Sequence, residues 1–257
     1  MYKLKRQTSR LTSGGWYGKY VILPCLFILF VPLLRSGQAF AQEQSKIIDS
    51  LLAVLETAKE DTNKAITLYE LCWHNRTIDQ KKALEYCNQA LNLSKQLDFQ
   101  KGIAYSLTKS GVVYRIQKDY EKAIEYLQQG LKVSEKSEML GAVAWSLNNI
   151  AGCYYEQDNY EKVLEYEKKL LKIREKLGDK YGIAMSMYNI GEAYCLLGKH
   201  GESIEYFTRS LALAKEKGWG RIKKANYEIL VEAYTKLNNQ EKADEYNKLL
   251  SAFSGSN

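Results

Sequence analysis

Proline is nearly absent from this sequence of 257 residues, which contains only Pro24 and Pro32. Because proline breaks the interior of a helix, its absence after position 32 leaves long helices uninterrupted. Strand-like alternation of apolar and polar residues is also missing over any useful length. Hydrophobic residues still make up 46% of the chain, which is enough to bury a core. The composition therefore predicts an all-α fold.

Residues that usually carry catalysis or bind metals are scarce. The chain has only two histidines, His74 and His200, and they lack the spacing of metal ligands. The H-E-x-x-H, G-x-S-x-G and C-x-x-C motifs and a phosphate-binding glycine loop are all missing. Acidic residues alternate with lysines, which is typical of solvated helix faces. We therefore expect a protein that is not an enzyme, with no catalytic residues, no metal site and no cofactor.

A strong charge of one sign is missing from most of the chain. Six of the 37 basic residues, and none of the 30 acidic residues, lie within residues 1–41. Residues 42–257 are therefore close to neutral. A nucleic-acid-binding face would need clustered basic residues, so we expect no nucleic-acid partner.

The basic start of the chain is followed by an apolar run over residues 20–34 and by the small-x-small sequence Ala39-Phe40-Ala41. This order is typical of a signal peptide that is cleaved after Ala41. A membrane-spanning helix needs about 20 apolar residues, which is longer than this run. We expect a periplasmic or secreted protein without stable membrane insertion after cleavage. The alternative is an inner-membrane protein anchored by uncleaved residues 20–34.

Four cysteines follow the predicted cleavage site: Cys72, Cys87, Cys153 and Cys195. We expect them to act as small buried hydrophobic residues. The alternative for Cys72 and Cys87 is a disulfide between neighbouring helices, because the intervening residues can run out and back as a helical hairpin. The sequence does not establish the geometry that such a bridge needs.

What the sequence has in abundance is a repeat of 40 residues. Within one unit, Leu107, Ser110, Gly111 and Tyr114 have the spacing of one helix face. We expect the small residues to allow close helix approach, and the tyrosines to fill the space between successive helix pairs. Four columns share the period: Tyr114, Tyr154, Tyr194 and Tyr234; Tyr86, Tyr126, Tyr166, Tyr206 and Tyr246; Leu91, Leu131, Leu171 and Leu211; and the small residues Gly111, Ala151 and Gly191.

Short polar turns separate the predicted helices. Asp119 and Asp158 are predicted to cap the second helices of their units. Gly178 and Gly218 are predicted to end second helices.

Residues 147–154 and 158–166 match the consensus of the tetratricopeptide repeat, and residues 61–250 resemble that family. Because the common unit has 34 residues, the 40-residue unit is more similar to kinesin-light-chain-like repeats. The chain also resembles the exported repeat regions of Bacteroidetes sensor kinases and cyclases. The resemblance implies a right-handed superhelical solenoid of antiparallel helix pairs.

The predicted organisation follows from these boundaries. A signal peptide over 1–41 precedes an N-terminal capping helix over 42–60 and five repeats, and residues 251–257 form a disordered tail. The repeats are predicted at 61–100, 101–140, 141–180, 181–220 and 221–250.

The resemblance also implies a concave groove lined by the first helix of each pair. Asn149 and Asn189 match an asparagine that resembles the peptide-backbone clamp of kinesin-light-chain-like repeats. The alternative is that these asparagines only satisfy neighbouring helices. Lys109 and Arg115 would favour an acidic segment. The predicted peptide-binding residues are Tyr105, Lys109, Arg115, Trp145, Asn148, Asn149, Tyr188 and Asn189.

These features predict an exported scaffold that binds a protein or peptide and catalyses no reaction. The alternative is the input module of a signalling system with a kinase or cyclase partner, including a truncated relative of such a sensor. An enzyme with an unrecognised site is a third interpretation. The sequence does not identify the partner or the oligomeric state.

Overall fold

A computed structural model describes the backbone of residues 30–254 and the side chains of residues 43–253. Every regular element in this range is an α-helix, so the predicted all-α class is confirmed. No helix in the described range is both long and apolar enough to cross a membrane. Most of the predicted signal peptide, residues 1–29, lies outside the described residues, as do the side chains of Ala39 and Ala41.

The helices follow one another with short turns, and they fall into two compact units. The first unit holds α1 to α7 and the second holds α8 to α11. The first helix begins upstream of residue 42, and the last continues past residue 250. The helices are α1 (Phe30–Thr57), α2 (Thr62–Asn75), α3 (Gln80–Gln96), α4 (Gln100–Ile116), α5 (Tyr120–Lys136), α6 (Leu140–Glu156), α7 (Tyr160–Leu177), α8 (Lys180–Leu196), α9 (His200–Glu216), α10 (Gly220–Lys236) and α11 (Gln240–Ser254).

From the end of α3 onward the turns repeat every 20 residues, which is half the 40-residue period of the sequence. Each of these turns contains one residue with a positive φ, and only three of those residues are glycine. At the end of α4, Lys118 has φ 65°, its N–H donates to Arg115 O, and the N–H of Asp119 donates to Tyr114 O. These two bonds form a Schellman motif, which satisfies the last carbonyls of the helix. The positive-φ residues are Asp98, Lys118, Glu138, Asp158, Gly178, Gly198, Gly218 and Asn238.

The residue after each positive-φ residue directly precedes the first residue of the next helix. Asp119 caps α5 as predicted, because its carboxylate accepts a hydrogen bond from Lys122 N–H. The predicted cap Asp158 is wrong by one residue. Asp158 occupies the positive-φ position, and the neighbouring Asn159 accepts the N–H of Lys162. Asparagine and aspartate tolerate both positions, so residue type alone did not decide between them.

The column of small residues marks close helix contacts. A Cβ built on Gly111 would lie 2.6 Å from Leu127 Cγ and 2.9 Å from Ala123 O, both on α5. In the second unit, a Cβ on Gly191 would lie 2.9 Å from two ring atoms of Phe207 on α9. Carbon atoms normally meet at about 3.5–4.0 Å, so neither helix pair has room for a side chain at these positions.

The tyrosines of the two columns make ring contacts with each other within a helix pair. Tyr114 and Tyr126 have ring centroids 5.2 Å apart, and those of Tyr154 and Tyr166 are 5.5 Å apart. These contacts lie within a pair, and the prediction that the tyrosines fill the space between successive pairs stays a prediction. Each pair lies near the short turn that joins its two helices, and the turn brings the rings together.

The first helix pair is covalently linked. Cys72 on α2 and Cys87 on α3 form a disulfide, and both side chains are fully buried. The expectation that all four cysteines act only as buried hydrophobic residues is wrong for this pair, because packing of the hairpin brings their Cα atoms to 5.2 Å. Cys153 and Cys195 are not disulfide-bonded. The apolar face of α1 packs against the core of the first pair through Ile48, Leu51, Leu52 and Leu55.

Candidate functional site

Four aromatic rings from three successive first helices meet in one place, which we call the aromatic cluster: Tyr69 and Trp73 on α2, Tyr105 on α4 and Trp145 on α6. The Tyr105 ring stacks on Tyr69 at 5.7 Å and meets Trp145 at 5.7 Å. Trp145 also makes an edge contact with Trp73 at 5.6 Å. Tyr69 is buried, whereas the other three side chains keep part of their surface exposed. The cluster is therefore continuous and partly accessible to a ligand.

Lys109 lies beside this cluster and is almost completely buried, with 5% of its surface exposed. Its Nζ lies 2.8 Å from Glu70 Oε1, 4.7 Å from the centroid of Tyr69 and 5.5 Å from that of Trp73. The ammonium group is thus paired and also faces two aromatic rings. Because Glu70 neutralises it, Lys109 presents no unpaired charge for an acidic partner.

Burial and charge shift the pKa values of this region. Burial raises the pKa of Tyr69 to about 12, with Glu70 and Tyr105 adding to the shift. Burial lowers the pKa of Lys109, while Glu70 opposes that shift. Tyr69 is therefore a neutral phenol at physiological pH.

Two further cations lie at the edge of the aromatic cluster. The Arg76 guanidinium carbon lies 3.7 Å from the centroid of Trp73, and Lys101 Nζ lies 6.0 Å from that of Tyr105. Lys101 is exposed, whereas Arg76 is partly buried. Arg115, which the sequence placed in the groove, is half-buried near the end of α4.

The predicted asparagines differ in their surroundings. Asn149 is buried, and its Nδ2 donates to Trp145 O one turn earlier in α6, at 2.8 Å. Asn148 is only partly buried. Asn75 and Asn226 make the same bond, to Leu71 O and Ile222 O. The Asn149 amide therefore donates a hydrogen bond within its own helix. Neither sequence interpretation, the peptide clamp or the contact with neighbouring helices, included this bond.

Tyr188 and Asn189 lie on α8, in the second unit. Tyr188 is 6% exposed, and its ring packs 5.5 Å from that of Phe207. Asn189 is also buried. The structure thus brings Tyr105, Lys109 and Trp145 together, and it places Tyr188 in the core of the second unit. That unit has its own groove of about 740 Å³, which α8, α10 and α11 line with Tyr188, Ile229, Glu232 and Leu250 among others.

Groups with reactive chemistry are few in the described residues. His74 Nδ1 lies 2.9 Å from Gln44 Oε1, and burial lowers the pKa of the imidazole. Cys195 Sγ lies 3.7 Å from His200 Nδ1, but burial raises the pKa of that thiol to about 11. Such a thiol is mostly protonated and a poor nucleophile. No group of three metal-ligating side chains occurs in residues 43–253.

Sequence reasoning missed the contribution of α2 to this surface, which consists of Tyr69, Glu70 and Trp73. Helix α2 has 14 residues where α4 has 17, and its residue types differ from those of the 40-residue columns. The available signal was Trp73 beside His74, at the place where the other units have a column tyrosine.

Known proteins share both the sequence pattern and the fold. The family model for the tetratricopeptide repeat matches residues 79–136 and 142–216, which is more than half of the chain. No curated protein sequence matches the chain significantly.

Solved structures similar to this chain share its helical fold. BtubC (BKLC) from P. vanneervenii has a TM-score of 0.73 and 17% identity, covering 83% of this chain and 91% of BtubC. The signal transduction ATPase with a tetratricopeptide repeat sensor from Pyrococcus horikoshii has a TM-score of 0.72 and 16% identity, covering 85% of this chain and 34% of the ATPase. A Rap protein complexed with competence and sporulation factor has a TM-score of 0.56 and 21% identity, covering 80% and 58%. These similarities confirm the predicted fold class.

Proposed function

Because the chain belongs to the tetratricopeptide repeat family, we propose that it is a non-catalytic scaffold that binds a protein or peptide partner at the aromatic cluster. Helical repeats of this kind present extended surfaces to partners. The observation that carries the proposal is the meeting of Trp73, Tyr105 and Trp145, which come from three successive first helices and are each partly exposed.

Partly exposed aromatic side chains on rigid helices favour binding for a physical reason. Tyrosine and tryptophan have few rotatable bonds, so they lose little entropy when a partner covers them. Alanine substitutions at binding surfaces are most costly at Trp, Tyr and Arg in well-packed central positions. Trp145 contacts both Trp73 and Tyr105, so it is one of the two inner rings of this surface, together with Tyr105.

The similar Rap protein supports a peptide or protein ligand, because it was solved in complex with competence and sporulation factor. We infer the ligand class from that complex together with the aromatic cluster. The preference for an acidic segment that we expected from Lys109 is not part of the proposal, because Glu70 pairs with that lysine.

The experiment begins with capture of partners by the mature protein from native envelope and medium. Titration calorimetry then compares the wild type with Trp145→Ala, which should weaken binding by about 2 kcal/mol, or about thirtyfold. Tyr181→Ala is the matched control, because Tyr181 is an exposed aromatic of the second unit that makes a similar edge contact with Trp219. Equal affinities of all three proteins would remove the aromatic cluster from the binding site.

We also propose that the protein is exported and cleaved after Ala41. The order of basic, apolar and small residues in positions 1–41 supports export. The Cys72–Cys87 disulfide supports it independently, because disulfides persist mainly in oxidising compartments. N-terminal sequencing of the native protein should begin at Gln42. An intact Met1 in carbonate-resistant membranes would instead favour the anchored form.

The second candidate function is an input module for a signalling partner. The similarity to the repeat sensor of the Pyrococcus horikoshii ATPase favours it. Under this function, the captured partner would be a kinase or cyclase, and its activity would change when the scaffold is added. A captured partner of any other kind would favour the scaffold.

A further inference from the structure

The surroundings of the Lys109 ammonium group are those of a cation-binding site. Two aromatic faces and one carboxylate surround Nζ: Tyr69 at 4.7 Å, Trp73 at 5.5 Å and Glu70 Oε1 at 2.8 Å. An ammonium within about 6 Å of a ring centroid is attracted by the π-electrons of the ring, most strongly where water is excluded. All three groups belong to α2, whereas the cation comes from α4.

We infer that Tyr69, Glu70 and Trp73 form an aromatic cage for an ammonium group, and that Lys109 fills this cage from within the chain. The cage adjoins the rings of Tyr105 and Trp145, because Tyr105 stacks on Tyr69 and Trp145 meets Trp73. Arg76 covers Trp73 at 3.7 Å, which adds a second cation to this tryptophan. Resting on the proposed function, this cage determines which kind of side chain the binding surface accepts.

The consequence is selection against cationic anchors. A lysine or arginine of a partner could enter the cage only by expelling Lys109, which would then lose both its carboxylate and its rings. Specificity often arises from such a penalty on the wrong partner rather than from a contact with the right one. The part of the aromatic cluster that belongs to the cage is therefore closed to cationic anchors, whereas uncharged apolar or aromatic anchors meet no such penalty.

Two substitutions of Lys109 test whether the cage binds a cation when the lysine is removed. Lys109→Ala should vacate the cage, whereas Lys109→Met should keep it filled with an uncharged chain of similar length. The probe is tetramethylammonium chloride, titrated against sodium chloride of equal ionic strength, with the indole N–H signal of Trp73 followed by NMR. Lys109→Ala should bind the probe saturably, and at least about tenfold more tightly than the wild type or Lys109→Met.

The carboxylate is tested in the vacated background. Adding Glu70→Gln to Lys109→Ala should weaken binding of tetramethylammonium, because the cage then lacks its negative charge. Probe binding that is equal in the wild type, Lys109→Met and Lys109→Ala would overturn the cage. The absence of saturable binding to folded Lys109→Ala would overturn it as well.

A measurement on the wild type keeps the inference testable if Lys109→Ala does not fold. Reductive methylation followed by peptide mass spectrometry should modify exposed Lys101 at least about tenfold faster than Lys109, because an ammonium held by Glu70 and two rings is shielded. Equal rates would show that Lys109 leaves the cage freely. Neither result depends on a partner, so failure of the cage and failure of the proposed binding site remain distinguishable.

Discussion

Replacing Gly111 by alanine tests the closest helix contact of the first unit. The added methyl carbon would lie 2.6 Å from Leu127 Cγ, 3.0 Å from Leu127 Cδ2 and 2.9 Å from Ala123 O. Leu127 is fully buried, and Ala123 O belongs to the backbone of α5, so neither neighbour can move away easily. Helix α5 would have to shift as a whole, and overpacking of this kind costs about 1–3 kcal/mol.

The same substitution also adds stability, because alanine in a helix is more favourable than glycine by about 0.5–1 kcal/mol. Gly141→Ala measures this effect of helix propensity alone. Gly141 lies at the start of α6, and no described atom beyond its own helix backbone and chain neighbours lies within 4 Å of a Cβ built there. We expect Gly141→Ala to stabilise by about 0.5 kcal/mol and Gly111→Ala to destabilise by about 1–2 kcal/mol.

Urea denaturation followed by circular dichroism at the helix band measures both variants. The free energies can be compared directly if the m-values of the variants and the wild type agree. The two variants should shift the midpoint in opposite directions, and their difference reports the clash with α5. A gain in stability for Gly111→Ala equal to that for Gly141→Ala would refute the assigned contact.

Three further predictions concern the turns and the cysteines. Lys118 has φ 65°, and Lys118→Gly should raise the free energy of unfolding by about 1 kcal/mol, since a positive φ is unfavourable for residues with a Cβ; an unchanged urea midpoint would argue against strain there. Replacing Cys72 and Cys87 together by serine should lower the free energy of unfolding by about 3 kcal/mol, because the disulfide closes a 15-residue loop in the unfolded chain. The urea midpoints of the oxidised wild type and of the variant check this. The raised pKa of Cys195, about 11 against an ordinary 9.0, should slow its alkylation by iodoacetamide at pH 8 about a hundredfold relative to an exposed thiol, with the rate rising towards pH 11; mass spectrometry at several pH values would contradict this if the rate levelled off near pH 9.

Only part of the candidate site could be predicted from the sequence. Tyr105 and Trp145 lie on first helices that obey the 40-residue period, so their shared surface could be expected from their positions alone. Tyr69 and Trp73 lie on the shorter α2, where the residue types of the columns are not kept, and only packing shows that they complete the cluster. Tyr188 obeys the period, but Phe207 covers its ring.

The sequence by itself determined the features that depend on local spacing. The all-α class and the family followed from residues that recur every 40 positions, because helix formation and the choice of the buried face depend on near neighbours along the chain. The closely packed positions Gly111 and Gly191 followed in the same way.

Only the tertiary structure decided which distant groups meet. The Lys109–Glu70 ion pair joins residues 39 positions apart, and the Cys72–Cys87 disulfide depends on how α2 lies against α3. Because Glu70 pairs with Lys109, this lysine presents no unpaired charge to a partner. Such contacts depend on distances of a few ångströms between separate helices, and repeat spacing does not specify those distances where the repeat itself is irregular.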